Sequence, residues 1–510
     1  MAGDFLRQHG IDINAEMDRI QHGLQQPADP VAENAGKVSG ILNASLPNTA
    51  PNARHDIHFN SANEVAIISP SIPTQESFTP QQQTFLNAQG ALVTPSLCHP
   101  HIHLDKPFLL SHPKYSDLQL TRGDFSEAME LTGKAKAKFA RADLLERGQR
   151  LIDESVAAGV THMRAFVEVD AGVGTKCLDA GIELKKAAEA QGRCTVQICA
   201  FAQLPLFTAS QGDEEGAVIR GLMEDAASQA EVDVVGSTPY VEGDRGKMER
   251  NVEWMVELSA KFMVHLDFHL DYNLDPEVEP LVWHVVSTLK LLDWKSKTQA
   301  EKTVMLGHCT RLTLFTDDQW RSLADDIKQA ELPISFVGLP TSDLFIMPFP
   351  PPSTSTRRTL DVPRLIKDFD LNACLGVNNI GNAFTPQGSC DPLTLACSGV
   401  AVYQAGTKLD AELLYECVST RARAAIGLGR AAHGSGKDVS LDVKGGDSSL
   451  LVFGSETEKW RTRSFVSETV YIVVPPQLKS FKADLSRSVA PHLFDPSSTG
   501  SHLTIFLAQW

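Results

Sequence analysis

The sequence predicts an α/β protein: a (β/α)8 TIM barrel with a small composite β domain formed by N- and C-terminal segments. Two observations predict it. Between residues 96 and 435, eight short apolar runs alternate with longer stretches of helical periodicity, the pattern of parallel strands joined by crossover helices. On either side, at 39–95 and 436–510, short apolar runs alternate with turn-forming residues, the texture of small strands. Two such pieces flanking a barrel can pair into one domain.

In order along the chain, residues 1–38 are polar and rich in Gln and Asp, and read as an N-terminal arm. Residues 39–95 form the first part of the β domain, with strands expected around Val65–Ile68 and Ala91–Val93. The barrel strands are expected at Leu97–His103, Val160–Val169, Thr195–Phe201, Val232–Val235, Phe262–His269, Thr303–His308, Ile334–Val337 and Leu371–Val377. Helices are expected at Asp143–Ala158, Leu178–Gln191, Glu215–Ala230, Arg250–Ser259 and Val278–Leu292, where apolar residues recur at three- and four-residue spacing. Residues 436–510 close the β domain, with strands expected at Val439–Val443, Ser449–Phe453 and Val470–Val474. A Pro-rich loop, Met347–Thr359, follows the seventh strand and would overhang the barrel mouth as a lid.

Composition narrows the function classes. Lys and Arg number 46 against 63 Asp and Glu, a net charge of −17, which repels phosphate backbones and anionic lipid. No apolar run approaches the ~20 residues of a membrane span. The nine cysteines are scattered, odd in number and without a CxxC pair, as expected of reduced thiols in a cytoplasmic protein rather than a disulfide framework. The expected partner is a small-molecule substrate, with no nucleic acid and no membrane.

The chemistry centres on Cys98-His-Pro-His-Ile-His-Leu-Asp-Lys106. Side chains at i and i+2 of a strand share a face, so His101 and His103 point the same way at the end of the first strand. By the same parity His99 would share that face, one step deeper. His269 ends the fifth run and His308 the sixth. Four histidines at the same ends of three barrel strands converge on one mouth and can hold one divalent metal, whose imidazole nitrogens would lie about 2.0–2.1 Å away.

Taken with Ala-Phe-Ala-Gln at 200–203, Asp-Val-Val-Gly at 233–236, Phe-His-Leu-Asp at 268–271 and Gly-His-Cys-Thr at 307–310, the chain resembles the amidohydrolase superfamily, in its cytosine deaminase-like branch. The resemblance runs from about Gly40 to Val474. It implies the barrel and composite β domain already expected. It also implies His101, His103 and His269 as ligands of one metal ion, with Zn2+ ahead of Fe2+, and His308 facing the reacting centre. Gln203 matches a glutamine that binds the amide edge of a substrate ring. Lys106 matches a lysine that faces the site in the isopropylaminohydrolase-like members, and could instead pair with Asp105. Arg357 and Arg358 fall near a basic pair that could meet an anionic or carbonyl-rich ligand. Relatives commonly associate, so a homo-oligomer is possible.

Two positions depart from the family. Asn378 stands where the family has a metal-binding, proton-accepting aspartate, and Tyr272 where the deaminases carry a proton-shuttling glutamate. An amide cannot accept a proton at neutral pH, and a missing acid/base costs roughly 10²–10⁴ in rate, so cytosine deamination itself is not expected. His308 or Tyr272 would then move protons, with Asp271 a nearby carboxylate better suited to a cap. The leading expectation is a metal-dependent amidohydrolase cleaving a C–N bond of a cyclic amide or amino-heterocycle. The alternatives are a non-hydrolytic cyclase, lyase or decarboxylase on the same scaffold, and a catalytically silent binding protein.

Overall fold

The computed structural model describes residues 38–72, 85–210, 213, 215–347, 357–429, 441, 443, 446, 448–454, 462–473 and 505–508. The N-terminal arm to residue 37, residues 348–356 of the expected lid and the start of the expected strand at 439–443 lie outside them.

Strands β1 (Gly40–Ala44), β2 (His55–Phe59), β3 (Val65–Pro70) and β4 (Phe85–Asn87) form one sheet in the order β3-β2-β1-β4. Strand β5 (Leu92–Pro95) belongs to a second. The barrel follows: β6 (Leu97–His103), β7 (Val160–Glu168), β8 (Thr195–Ala202), β9 (Val232–Ser237), β10 (His265–Leu270), β11 (Val304–His308), β12 (Ile334–Gly338) and β13 (Ala373–Leu375). These eight pair in chain order, all parallel. Finally β14 (Leu450–Phe453) runs antiparallel to β5 and parallel to β15 (Ile505–Ala508). Ile41, Ile57, Val65 and Val93 from the first part of the chain pack with Leu450 and Val452 from the last, so both ends build one β core.

The barrel closes through a single residue. Asn378, just beyond β13, donates its N–H to His101 O at 3.0 Å and accepts from His103 N–H at 2.9 Å, an isolated parallel bridge to β6. Nearer the strand starts, the lumen holds a polar layer instead of aliphatic packing. Arg164 is fully buried and donates to Asp267 Oδ2 at 3.0 Å, to Gln197 Oε1 at 3.1 Å and to the Ile426 carbonyl at 3.3 Å. Burial still pushes the Asp267 carboxyl up to about 7, with Arg164 pulling the other way. Around the barrel, helices Arg141–Ala157 and Lys176–Ala190 meet at Gly148, where a Cβ would stand 2.4 Å from Leu184 Cδ1 and would make that side chain shift.

One expected element has a different form. Val470–Val474 was expected as a strand from its β-branched run, but Val466–Tyr471 is helical, with Val466 and Val470 buried on one face. Packing on helices Pro392–Val402 and Lys408–Cys417 overrides the local strand preference. All nine cysteines are unpaired and eight are buried.

Arg164→Met leaves the Asp267 carboxyl buried without its partner. The expected loss is about 3–5 kcal/mol of unfolding free energy in urea titration; a variant within about 1 kcal/mol of wild type would show that the polar layer does not hold the barrel.

Candidate metal centre and pocket

At the mouth, β6 does not keep its parity. The pairing with β7 shifts register between His99 and Ile102, a bulge at Pro100 that turns alternate side chains over. His99 therefore leaves the lumen, its Nε2 lying 3.1 Å from Ser155 Oγ and 3.1 Å from the Cys390 carbonyl. The equal-parity expectation for His99 fails for that reason. His101 and His103 face inward.

His269 from β10 joins them, and ligand atoms of His101, His103 and His269 all lie within 4.8 Å of one another. His101 Nε2 and His269 Nε2 are 2.8 Å apart. Phe166 and Phe201 wall the cluster, with ring centroids 4.1 Å from His101 and 4.4 Å from His269. Burial pushes all three imidazoles well below the ordinary histidine value, and neighbouring His308, Lys106 and His101 push in the same direction. All three are thus neutral at pH 7 and offer lone pairs. Asn378 Nδ2 donates to Ser342 Oγ at 2.8 Å, leaving Oδ1 buried with no hydrogen bond. An unsatisfied buried oxygen costs about 1–3 kcal/mol. Three neutral nitrogens and one orphaned oxygen fit a divalent cation as a donor set.

His308 ends β11 in the left-handed region, at φ 63°. Its Nδ1 lies 2.8 Å from Asp343 Oδ1, and Thr359 donates to Asp343 Oδ2 at 2.7 Å. Asp343 is fully buried, and burial pushes its carboxyl up against the opposing pull of His308. The Tyr272 ring lies over His308 at 3.9 Å between centroids, tilted by 31°. Burial holds the Tyr272 phenol well above its usual value, so it remains protonated.

A pocket opens on this cluster. Its metal side presents His103, His269, His308 and Asn378; Phe125, Tyr240, Tyr272 and Phe384 wall it, and Lys106, Gln203, Ser342 and Asn379 add polar groups. The structure thus brings together eight of the ten residues expected as metal ligands, proton-transfer groups or substrate contacts. Arg357 and Arg358 stand apart. Both are exposed and donate to the carbonyls of Leu344 at 3.0 Å and Thr313 at 3.2 Å. Asp271 also turns away: its φ of 48° ends the strand, and its carboxylate caps Leu281 and Val282 N–H at 2.7 and 3.1 Å.

Lys106 does not pair with Asp105. It pairs with Glu168 at the end of β7, which also binds Lys136, which binds Asp170. Asp105 instead accepts from the Glu168 N–H at 2.8 Å. Asp343, Glu168 and Lys136 carry no sequence signal of their own. Asp343 is one polar residue in Leu-Pro-Thr-Ser-Asp after β12, and Lys136 ends a helix inserted between the first barrel strand and its crossover helix.

No family model matches the chain. Over 381 residues it is 23% identical to N-isopropylammelide isopropyl amidohydrolase of Pseudomonas sp. (strain ADP), spanning 74% of this chain and 83% of the relative. Among solved structures, 5-methylcytosine deaminase from Klebsiella pneumoniae with bound phosphonocytosine superposes with a TM-score of 0.68 at 21% identity, covering 84% of this chain and 93% of that one. The fold is that of the amidohydrolase barrels. N-isopropylammelide isopropylaminohydrolase from Burkholderia multivorans agrees, with a TM-score of 0.61 at 19% identity over 85% of this chain and 96% of that one.

Burial alone would raise the Glu168 carboxyl, but Lys106 and Lys136 outweigh it and hold it below the ordinary glutamate value. A folded value below the unfolded one gives stability that is present in full above about pH 4.3 and is lost as the pH falls further. Glu168→Gln is expected to cost about 3 kcal/mol at pH 7 in urea denaturation. The gap to wild type should narrow as the pH drops from about 5 to about 3; a gap constant over that interval would refute the ionised pairing.

Proposed function

We propose that this chain is a metal-dependent hydrolase that cleaves a C–N bond of a small cyclic amide or amino-heterocycle. The observation that carries the reading is the cluster of three neutral, buried imidazoles beside the orphaned Asn378 oxygen at the barrel mouth, where barrels of this class place their active sites. The similarity to amidohydrolases and deaminases supports it. His101, His103 and His269 would hold one divalent ion, Zn2+ ahead of Fe2+, with Asn378 Oδ1 as a neutral fourth donor; when bound, such an ion supplies Lewis acidity and makes water more acidic.

The proton work falls to His308. With the Asp343 carboxylate accepting from Nδ1–H, the opposite nitrogen, Nε2, presents its lone pair to the pocket. His308 Nε2 takes a proton from the attacking water and returns it to the departing nitrogen, so the C–N bond breaks with net addition of water. Asp343 is the positioning carboxylate that fixes this tautomer. Tyr272 holds the imidazole from one face, and its protonated phenol can donate or accept a hydrogen bond but does not serve as a base. Gln203 offers an amide to complement the edge of a substrate ring. The partner is a small molecule, and the acidic chain suits a cytoplasmic enzyme without nucleic-acid or membrane contacts. Among the described residues no helix is long and apolar enough to cross a membrane.

A non-hydrolytic reaction remains the second reading, because Asn378 removes one proton acceptor from the site. The two differ in whether the product gains the elements of water.

Elemental analysis of the purified protein is expected to find about one zinc per chain, lost in the His101→Ala/His103→Ala double variant. Turnover of lactams and aminoheterocycles in 18O-labelled water should place the label in the product. Asp343→Asn should keep the metal and lose roughly 10²-fold in kcat. A folded, metal-free wild type would sink the hydrolase reading, and an unlabelled product would favour the second.

A further inference from the structure

Each imidazole that turns one nitrogen to a cation leaves the other nitrogen to be satisfied. A neutral imidazole carries one N–H and one lone pair. His101 Nε2 faces His269 Nε2 at 2.8 Å. In a cluster holding a cation both of those atoms present lone pairs, and the His101 proton then sits on Nδ1. That nitrogen is buried with no hydrogen bond.

An acceptor stands opposite it. Asp267 lies on β10 two residues before His269 and so shares its lumen-facing side. Asp267 and His101 are both fully buried. Arg164 donates to Asp267 Oδ2 at 3.0 Å. Asp267 Oδ1 is left buried with no hydrogen bond, 4.0 Å from His101 Nδ1. An orphaned donor and an orphaned acceptor thus face each other, just beyond hydrogen-bond distance. They meet if the ring moves toward the carboxylate. A carboxylate that served Arg164 alone would do best with both oxygens on the guanidinium, the stronger bidentate arrangement. Arg164 instead directs its other donors to Gln197, Thr303 and the Ile426 carbonyl, and one Asp267 oxygen stays aimed at His101.

We propose that Asp267 is a positioning residue for the imidazole cluster. Its Oδ1 accepts the Nδ1–H of His101 once His101 Nε2 binds a cation, which fixes the ring's tautomer and orientation and makes Nε2 the stronger donor. The polar layer near the strand starts, built for barrel stability, thereby reaches the mouth through one side chain. This role rests on His101 being a metal ligand, as in the hydrolase reading.

Zinc dissociation constants of the full chain, measured by competition with a chromophoric chelator, test the assignment. Asp267→Asn keeps the side-chain volume but turns the amide nitrogen toward His101, because Arg164 needs the oxygen. Zinc should then bind about 10–100-fold more weakly than to wild type. Gln197→Leu cuts the same polar layer without touching Asp267, so it should lower the urea midpoint and leave zinc affinity at the wild-type value. A purely structural layer would instead move both variants alike. The second measurement needs no variant to fold: in crystals of the zinc-loaded wild-type chain, His101 Nδ1 and Asp267 Oδ1 should close to about 2.7–3.2 Å. Equal zinc affinity in wild type and Asp267→Asn would overturn the assignment. So would equal losses in the two variants, or a separation that stays at 4.0 Å with zinc on Nε2. A wild type that takes up no zinc would overturn the hydrolase reading along with this role, whereas zinc uptake with any of those three outcomes overturns this role alone.

Discussion

Everything at the mouth depends on how the barrel closes. Among the described residues, the sheet becomes a ring where the backbone of Asn378 reaches His101 and His103 through two hydrogen bonds. Those two residues are also candidate ligands, so the geometry of ring closure and of the imidazole cluster is one constraint. Because the hydrogen bonds come from the main chain, the Asn378 side chain is free to turn inward. Its amide nitrogen is taken by Ser342 and its oxygen is left facing the site. The bulge at Pro100 serves the same end, since it separates inward-facing His101 from outward-facing His99.

A second constraint is the cost of buried charge. Both polar regions of the lumen meet it by pairing. Near the strand starts, Arg164 is matched to Asp267; near the mouth, Lys106 is matched to Glu168 and Lys136 to Asp170. The histidines meet it by losing their protons, since dehydration disfavours the imidazolium. The same dehydration that would cost stability in a charged cluster makes these nitrogens available as donors.

The barrel was legible because its periodicities are strong. Runs such as Leu97–His103 read as strands and match β6 residue for residue, and the histidines lie at strand ends that register can place. Pairings across the sequence were not legible. Asp343 meets His308 across 35 residues, and Glu168 meets Lys106 across 62; neither separation leaves a local trace. Parity misled at His99 because a bulge adds one residue without marking the sequence beyond a proline. Propensity misled at Val470–Val474, where burial against two helices outweighed β-branching. Asp271 reads as a capping carboxylate and is one: a positive φ ends its strand and its oxygens accept from Leu281 and Val282 N–H.

A cluster of imidazoles flanked by an amide and a phenol still holds each of its polar groups in a defined place. Asn378 and Tyr272 cannot accept protons, but neither is idle: one offers an oxygen to the cluster and the other holds the His308 ring at 3.9 Å. The carboxylate that the imidazole cluster lacks stands one strand away, where Asp343 Oδ1 lies 2.8 Å from His308 Nδ1. Moving the negative charge outward leaves the pocket lining with a lysine and no carboxylate. Asn378 and Tyr272 are both uncharged beside His308, and the carboxylate of Asp343 stands behind that imidazole, outside the pocket lining.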